Sequence, residues 1–170
     1  MQLTYGITLF TSLLTLGVHG LMPPRIPSKP IPGDSPIEKC DLMSPQALDI
    51  HQVDLVPNLP MRDSELTIKA SAFLASEVIE GSYIDVEVRL GYIKLLTQRF
   101  DLCDLLDQQD EENEMRCPVK QGEQTLHTTV KIPREVPVGK YTFVARGYTQ
   151  DDVLLTCLTG NFMFYQNTLS

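Results

Sequence analysis

Seven consecutive residues constrain this chain more than any other stretch. From Ile84 to Leu90, the apolar Ile84, Val86, Val88 and Leu90 alternate strictly with Asp85, Glu87 and Arg89. That is the two-residue period of a strand with one dry face and one wet face. A dry strand face is stable only against another apolar layer. The same alternation recurs along the chain, so several such faces must meet across a shared interior.

Leu66, Ile68, Ala70, Ala72 and Leu74 alternate with Glu65, Thr67, Lys69 and Ser71. Leu126, Thr128, Val130 and Ile132 form an inward set, with His127 on the outward face. Tyr141, Phe143, Ala145 and Gly147 alternate with Thr142, Val144 and Arg146. A last strand from Val153 to Tyr165 carries Cys157, Phe162 and Phe164. In the first strand, Ala47 to Val56, the pair Leu48 and Ile50 is out of phase with Val53 and Leu55, so a bulge near His51 and Gln52 is expected. Turn signals separate the strands at Pro57-Asn58-Leu59-Pro60, Glu80-Gly81, Gln121-Gly122 and Pro133 to Gly139. About seven short strands with no helical stripe predict an all-β fold, an immunoglobulin-like antiparallel β-sandwich. That class alone says nothing about function.

The termini read differently. Met1 to Gly20 contain no charged side chain, and the apolar run Ile7 to Val18 has the length of a signal-peptide core rather than of a membrane span. A signal peptide over 1–20 is expected; a buried or interfacial N-terminal helix is the other reading. Residues 21–39 hold six of the twelve prolines. They predict an extended leader or propeptide outside the fold, or a plain linker. The domain proper is then 40–170.

Four cysteines remain: Cys40, Cys103, Cys117 and Cys157. An even count behind a signal peptide points to an oxidising compartment and a disulfide framework with three formal connectivities. The expected pairs are Cys103 with Cys117 and Cys40 with Cys157, although spacing does not by itself decide among the three. No C-x-x-C pair exists and only His51 and His127 follow the signal segment, so no metal site is expected.

Charge and motifs exclude whole classes of function. Lys and Arg number 14 against 22 Asp and Glu, a net charge of −8, so nucleic acid is not an expected partner. Seven carboxylates between Asp101 and Glu114 lack the glycine and spacing of a calcium loop, and are expected to form a solvated loop. There is no Gly-x-Ser-x-Gly elbow and no phosphate-binding glycine loop, so neither catalysis nor a cofactor is expected.

Taken in order, Cys40, Pro57-Asn58-Leu59-Pro60, Glu80-Gly81-Ser82-Tyr83, Leu90-Gly91-Tyr92-Ile93-Lys94-Leu95, Phe100-Asp101-Leu102-Cys103, Cys117-Pro118, Pro137-Val138-Gly139-Lys140-Tyr141 and Leu155-Thr156-Cys157 carry a resemblance. Over roughly Ile37 to Tyr165 the chain resembles the ML-domain lipid-recognition family. It is most similar to the fungal phosphatidylglycerol/phosphatidylinositol transfer proteins, relatives of the Niemann-Pick type C sterol carrier. The resemblance implies a secreted or vacuolar two-sheet sandwich that carries one lipid, a phospholipid or a sterol, and touches membranes transiently as a monomer. It also implies the first-to-last cysteine pair and the short cysteine loop before Cys-Pro. Many members add a third, small disulfide after the first cysteine; here no cysteine lies between Cys40 and Cys103.

The residues allow such a cargo. Immunoglobulin domains commonly fill the ~10 Å gap between sheets with a Trp, and this chain has none. Small inward positions (Ala70, Ala72, Thr128, Ala145, Gly147) sit beside larger ones, and an apolar cavity lined by Ile68, Ala70, Val86, Val88, Leu126, Val130, Tyr141, Phe143, Ala145 and Phe162 is expected. The alternative is that these residues simply pack as core, as protein interiors usually do, in a sandwich that serves as a secreted interaction module. A sixteen-carbon chain leaving a bilayer gives up about 13 kcal/mol, which a dry cavity would restore. Lys94, Arg99, Lys131, Arg134 and Lys140 are the candidate contacts for an anionic head group.

Overall fold

The computed structural model describes residues 27–108 and 115–166. The signal-peptide reading and the first part of the leader lie outside the described residues, as does part of the acidic run.

Among the described residues nine strands and one short helix follow in order: β1 (Lys29–Pro30), β2 (Ile37–Lys39), β3 (Leu48–Val56), β4 (Ser64–Leu74), β5 (Tyr83–Leu90), β6 (Ile93–Asp101), α1 (Leu102–Asp107), β7 (Gly122–Ile132), β8 (Gly139–Tyr148) and β9 (Leu154–Phe164). All pairings are antiparallel. One sheet has the order β1-β2-β9-β8-β5-β6 and the other β3-β4-β7. Six of the seven long strands fall on segments read as strands from the sequence; the seventh, β6, has no strict alternation and is formed by pairing with β5, and together the seven make the immunoglobulin-like sandwich. The Ile84–Leu90 stretch is β5, placed inside the large sheet between β8 and β6. The bulge also falls where the phase change requires it: the β3–β4 register slips between Ile50 and Gln52. The slip turns Val53 and Leu55 inward, and both are buried.

Two expectations need correction. The proline-rich segment does not stay outside the fold: β2 pairs with the edge of β9, β1 pairs with β2, and Ile31 is buried in the core. Pro30 is tolerated because β1 is the outermost strand, where a missing donor faces no neighbour. The fold therefore starts before residue 40. The acidic run likewise begins as helix α1 rather than as a loop. Asp101 caps it, its carboxylate accepting hydrogen bonds from the backbone N–H of Cys103 and Asp104 at 2.8 and 3.1 Å. Leu102 and Leu106 then pack inward. Among the described residues no helix is long and apolar enough to cross a membrane.

The interior is packed at its two ends. At one end Ile31, Val53, Leu55, Leu66 and Ile132 cluster, with Val136, Phe162 and Phe164 against them. At the other, Leu74, Val78, Val119 and Leu155 are closed over by Leu102, Leu106 and Cys117. Two disulfides, Cys40–Cys157 and Cys103–Cys117, form the expected pairs. The second fastens α1 to the strand-like segment at Val119.

The turn after Cys40, where a third disulfide is missing, is held by one side chain. The Gln46 amide donates to the carbonyls of Cys40 (2.7 Å) and Asp41 (3.3 Å). Its Oε1 accepts from the Cys157 N–H at 3.0 Å and from the Thr156 hydroxyl at 3.3 Å. Arg146 adds an ion pair to Asp41. Q46A strands the N–H of fully buried Cys157, so it is expected to lower unfolding free energy by about 2 kcal/mol in urea titration.

Candidate functional site

The candidate site is the space between the two sheets. Cross-strand register fixes which residues face it. On the large sheet Val86 stands opposite Ala145, Val88 opposite Phe143 and Leu90 opposite Tyr141, with Phe162 beyond Tyr141 on β9. On the small sheet Ile68 pairs with Thr128, Ala70 with Leu126 and Leu66 with Val130. All ten expected cavity residues thus lie on the two facing surfaces.

Burial within this set is uneven. Tyr141 and Ala145 are buried, while Val86, Val88, Leu126 and Phe143 are only half-buried, and Val130 is 39% exposed. β5 has a strand on either side, so solvent reaches Val86 and Val88 only through the gap between the sheets. Gln98, opposite Val86 on the outermost strand β6, is exposed on the same face. The principal direct approach of the sheets is β3 against β9. On the side toward β5, β6 and β7, Val86, Val88, Leu126 and Val130 keep part of their surface in contact with solvent.

The inward aromatic rings pair with one another within the large sheet. Phe143 lies along its own sheet: its ring occupies the place a Cβ on Gly160 would take, at 2.7 Å, and stacks on Phe162 at 5.8 Å between centroids. Only glycine permits that approach. Tyr141 sits edge-on to Phe164 at 5.3 Å and donates its hydroxyl to the Pro137 carbonyl at 3.0 Å.

The two ends of the space differ chemically. The α1 end is stoppered by the Leu74 cluster and the Cys103–Cys117 bridge. The opposite end is formed by the β3–β4, β5–β6 and β7–β8 connections, tied together by Asp63 N–H to the Ile132 carbonyl and Gly91 N–H to the Lys140 carbonyl. Large apolar side chains project there: Leu59, Met61, Val138, Ile93 (65% exposed) and Tyr92 (92% exposed). Two clefts flank this end. One, of about 300 Å³, is lined by Gly33 to Pro36, Asn58 to Pro60 and Asn161 to Met163. The other, of about 460 Å³, is lined by Asp63, Lys131, Pro133, Arg134 and Glu135.

The five candidate cations separate into two groups. Lys94 and Arg99 lie on the outer face of the large sheet and are already paired, Lys94 with Glu87 at 2.8 Å and Arg99 with Asp85 through two bonds of 2.8 Å. Those partners hold the Glu87 and Asp85 carboxyls below their ordinary pKa. Arg99 also lies over the Tyr83 ring at 3.7 Å. Lys131, Arg134 and Lys140 stand at the end away from α1, near the β7–β8 connection. The charge-pattern reading missed Arg62. It leaves the β3–β4 connection, donates Nη1 to the Val136 carbonyl at 3.3 Å, and has a buried Nε with no partner among the described residues. Burial pushes the Tyr141 phenol above its ordinary pKa, and the nearby Arg62 charge opposes that push.

Comparison with known proteins agrees with this architecture. The ML-domain family model matches residues 34–164. A phosphatidylglycerol/phosphatidylinositol transfer protein of Kluyveromyces lactis is 51% identical over 149 residues, 86% of each chain. Its counterpart from Eremothecium gossypii is 48% identical over 137 residues, covering 81% of this chain and 63% of that protein. Among solved structures, a Niemann-Pick type C2 protein from Japanese carpenter ant shares the fold with a TM-score of 0.59 at 13% identity, over 76% of this chain and 98% of that one. With the fold, both cysteine pairs and a match spanning nearly all the described strands in agreement, the chain belongs to the ML-domain family.

Proposed function

We propose that the protein is a non-enzymatic carrier that takes one phospholipid, of the phosphatidylglycerol or phosphatidylinositol class, between its two sheets and moves it between membranes. The observation that carries this reading is the incompletely buried apolar inner face of β5, which in an interior strand calls for something else to cover it. Half-identical relatives named as transfer proteins for these lipids support the cargo class. In this reading the ligand's acyl chains lie along Val86, Val88, Leu126 and Phe143, and its head group stays at the end away from α1. Tyr92, Ile93, Leu59 and Met61 dip into the bilayer surface during exchange. Lys131, Arg134 and Lys140 face the lipid phosphates, which offsets part of the repulsion from a net charge of −8. The two disulfides support an oxidising compartment of the secretory route, vacuolar lumen or extracellular.

Native mass spectrometry of the purified protein is expected to show one lipid-sized increment per chain. Vesicle assays are expected to show transfer of labelled phosphatidylglycerol and phosphatidylinositol. Movement of sterol alone would reassign the cargo. A protein with no increment and no transfer is an ordinary sandwich with a solvent-lined seam.

A further inference from the structure

Arg62 is a permanent cation in an unusual position. The described residues offer it no carboxylate partner at ion-pair distance, although Asp63 is its neighbour in sequence. Of the five N–H donors of its fork, Nη1 reaches the Val136 carbonyl and the buried Nε has no partner among the described residues. A half-buried guanidinium with an orphaned donor and no counter-charge is a costly arrangement when nothing is bound. An anion with two or more acceptor oxygens removes that cost, and the planar fork matches phosphate oxygens in pairs.

Its place in the fold says which anion. Arg62 comes from the small sheet's β3–β4 connection, is tied to the β7–β8 connection, and acts electrostatically on Tyr141, an inner-face residue of the large sheet. It therefore sits at the end of the inter-sheet space away from α1, beside the packed Ile132–Val136 corner, where a phosphate would lie if the chains attached to it ran between the sheets. We propose that Arg62 holds the phosphodiester of the bound phospholipid, making the protein selective for phosphate-bearing lipids over uncharged lipids with the same chains. This rests on the carrier reading above. Lys131 and Arg134 line the neighbouring cleft with Asp63 and Glu135 and are exposed, with no buried donor awaiting a partner. They attract anions to this end without fixing one.

The test compares uptake of phosphatidylglycerol and of diacylglycerol with identical chains from vesicles, for the native protein, R62Q and R62K. A lost charge-assisted bond corresponds to roughly tenfold or more in affinity. The native protein is expected to prefer phosphatidylglycerol by about that factor, R62Q to lose the preference while keeping diacylglycerol uptake, and R62K to fall between. An unchanged preference in R62Q overturns the role of Arg62 and leaves the carrier reading intact. Uptake of neither lipid by the native protein overturns both. If R62Q takes up neither lipid because it misfolds, R62K decides, and a preference equal to the native one overturns the proposal. A parallel arm titrates inorganic phosphate and follows thermal stability. Stabilisation of the native protein but not of R62Q, without any preference between the lipids, assigns the site to a free anion and overturns the lipid form.

Discussion

Replacing Cys40 and Cys157 together by alanine is expected to lower the unfolding free energy by about 5 kcal/mol, enough to leave much of the protein unfolded at 37 °C. The bridge closes a loop with a sequence separation of 117, and the chain-entropy model assigns such a loop close to the maximum a single crosslink gives. Both cysteines are fully buried, so the double alanine also leaves a small void and removes contacts from the β9 seam. What the bridge secures is the start of the domain. Cys40 follows the three-residue strand β2, which pairs the N-terminal segment with β9. The Gln46 amide is arranged around the same two cysteines. By contrast, C103A/C117A opens a loop with a separation of 14 and is expected to cost about 3 kcal/mol. Urea titrations of both double variants check the order. Losses that are equal, or a Cys40–Cys157 loss under about 2 kcal/mol, would mean that the unfolded chain is held compact by something other than the crosslink.

How much of this was legible in the sequence follows from how local each signal is. Strand phase is local, so β4, β5, β7 and β8, and even the slip at His51, were readable from alternation alone. The joining of β1 and β2 to the fold was not. Closely spaced prolines read as an unstructured leader, and nothing nearby announces that Ile31 and Ile37 find cover under β9. Helix α1, at six residues, is shorter than two turns and shows no periodicity; only the Asp101 cap marks it. Among the cations, sequence gives charge but not the face. Lys94 and Arg99 turned out to be spent on Glu87 and Asp85 across the outer surface, whereas Arg62 drew no attention because its character comes from partners it lacks. Gln46 was equally silent, since a lone glutamine in a turn acquires meaning only when Cys157 is brought beside it.

The most decisive single change is V88W. Val88 projects from β5 between Phe143 on β8 and Leu96 on β6, toward the small sheet, and is half-buried although its strand is internal. In a close-packed core an indole at such a position forces neighbours out of their rotamers and typically costs 1–3 kcal/mol. In the carrier reading the ring instead enters the space proposed for an acyl chain, beside a Val88 side chain that is itself only half-buried. V88W is therefore expected to fold with a loss under about 1 kcal/mol, or with none, because the indole covers apolar surface that was wet. A lipid chain needs that same volume, so uptake of phosphatidylglycerol is expected to fall at least about a hundredfold, the equivalent of roughly 3 kcal/mol of excluded hydrocarbon contact. L55W supplies the contrast. Leu55 is 2% exposed within the packed end cluster, and enlarging it is expected to destabilise the protein outright. Thermal unfolding and vesicle uptake on the same preparations separate the cases. If V88W destabilises as much as L55W, the layers are interlocked at β5. If it folds and still carries lipid, the cargo lies elsewhere than along this face.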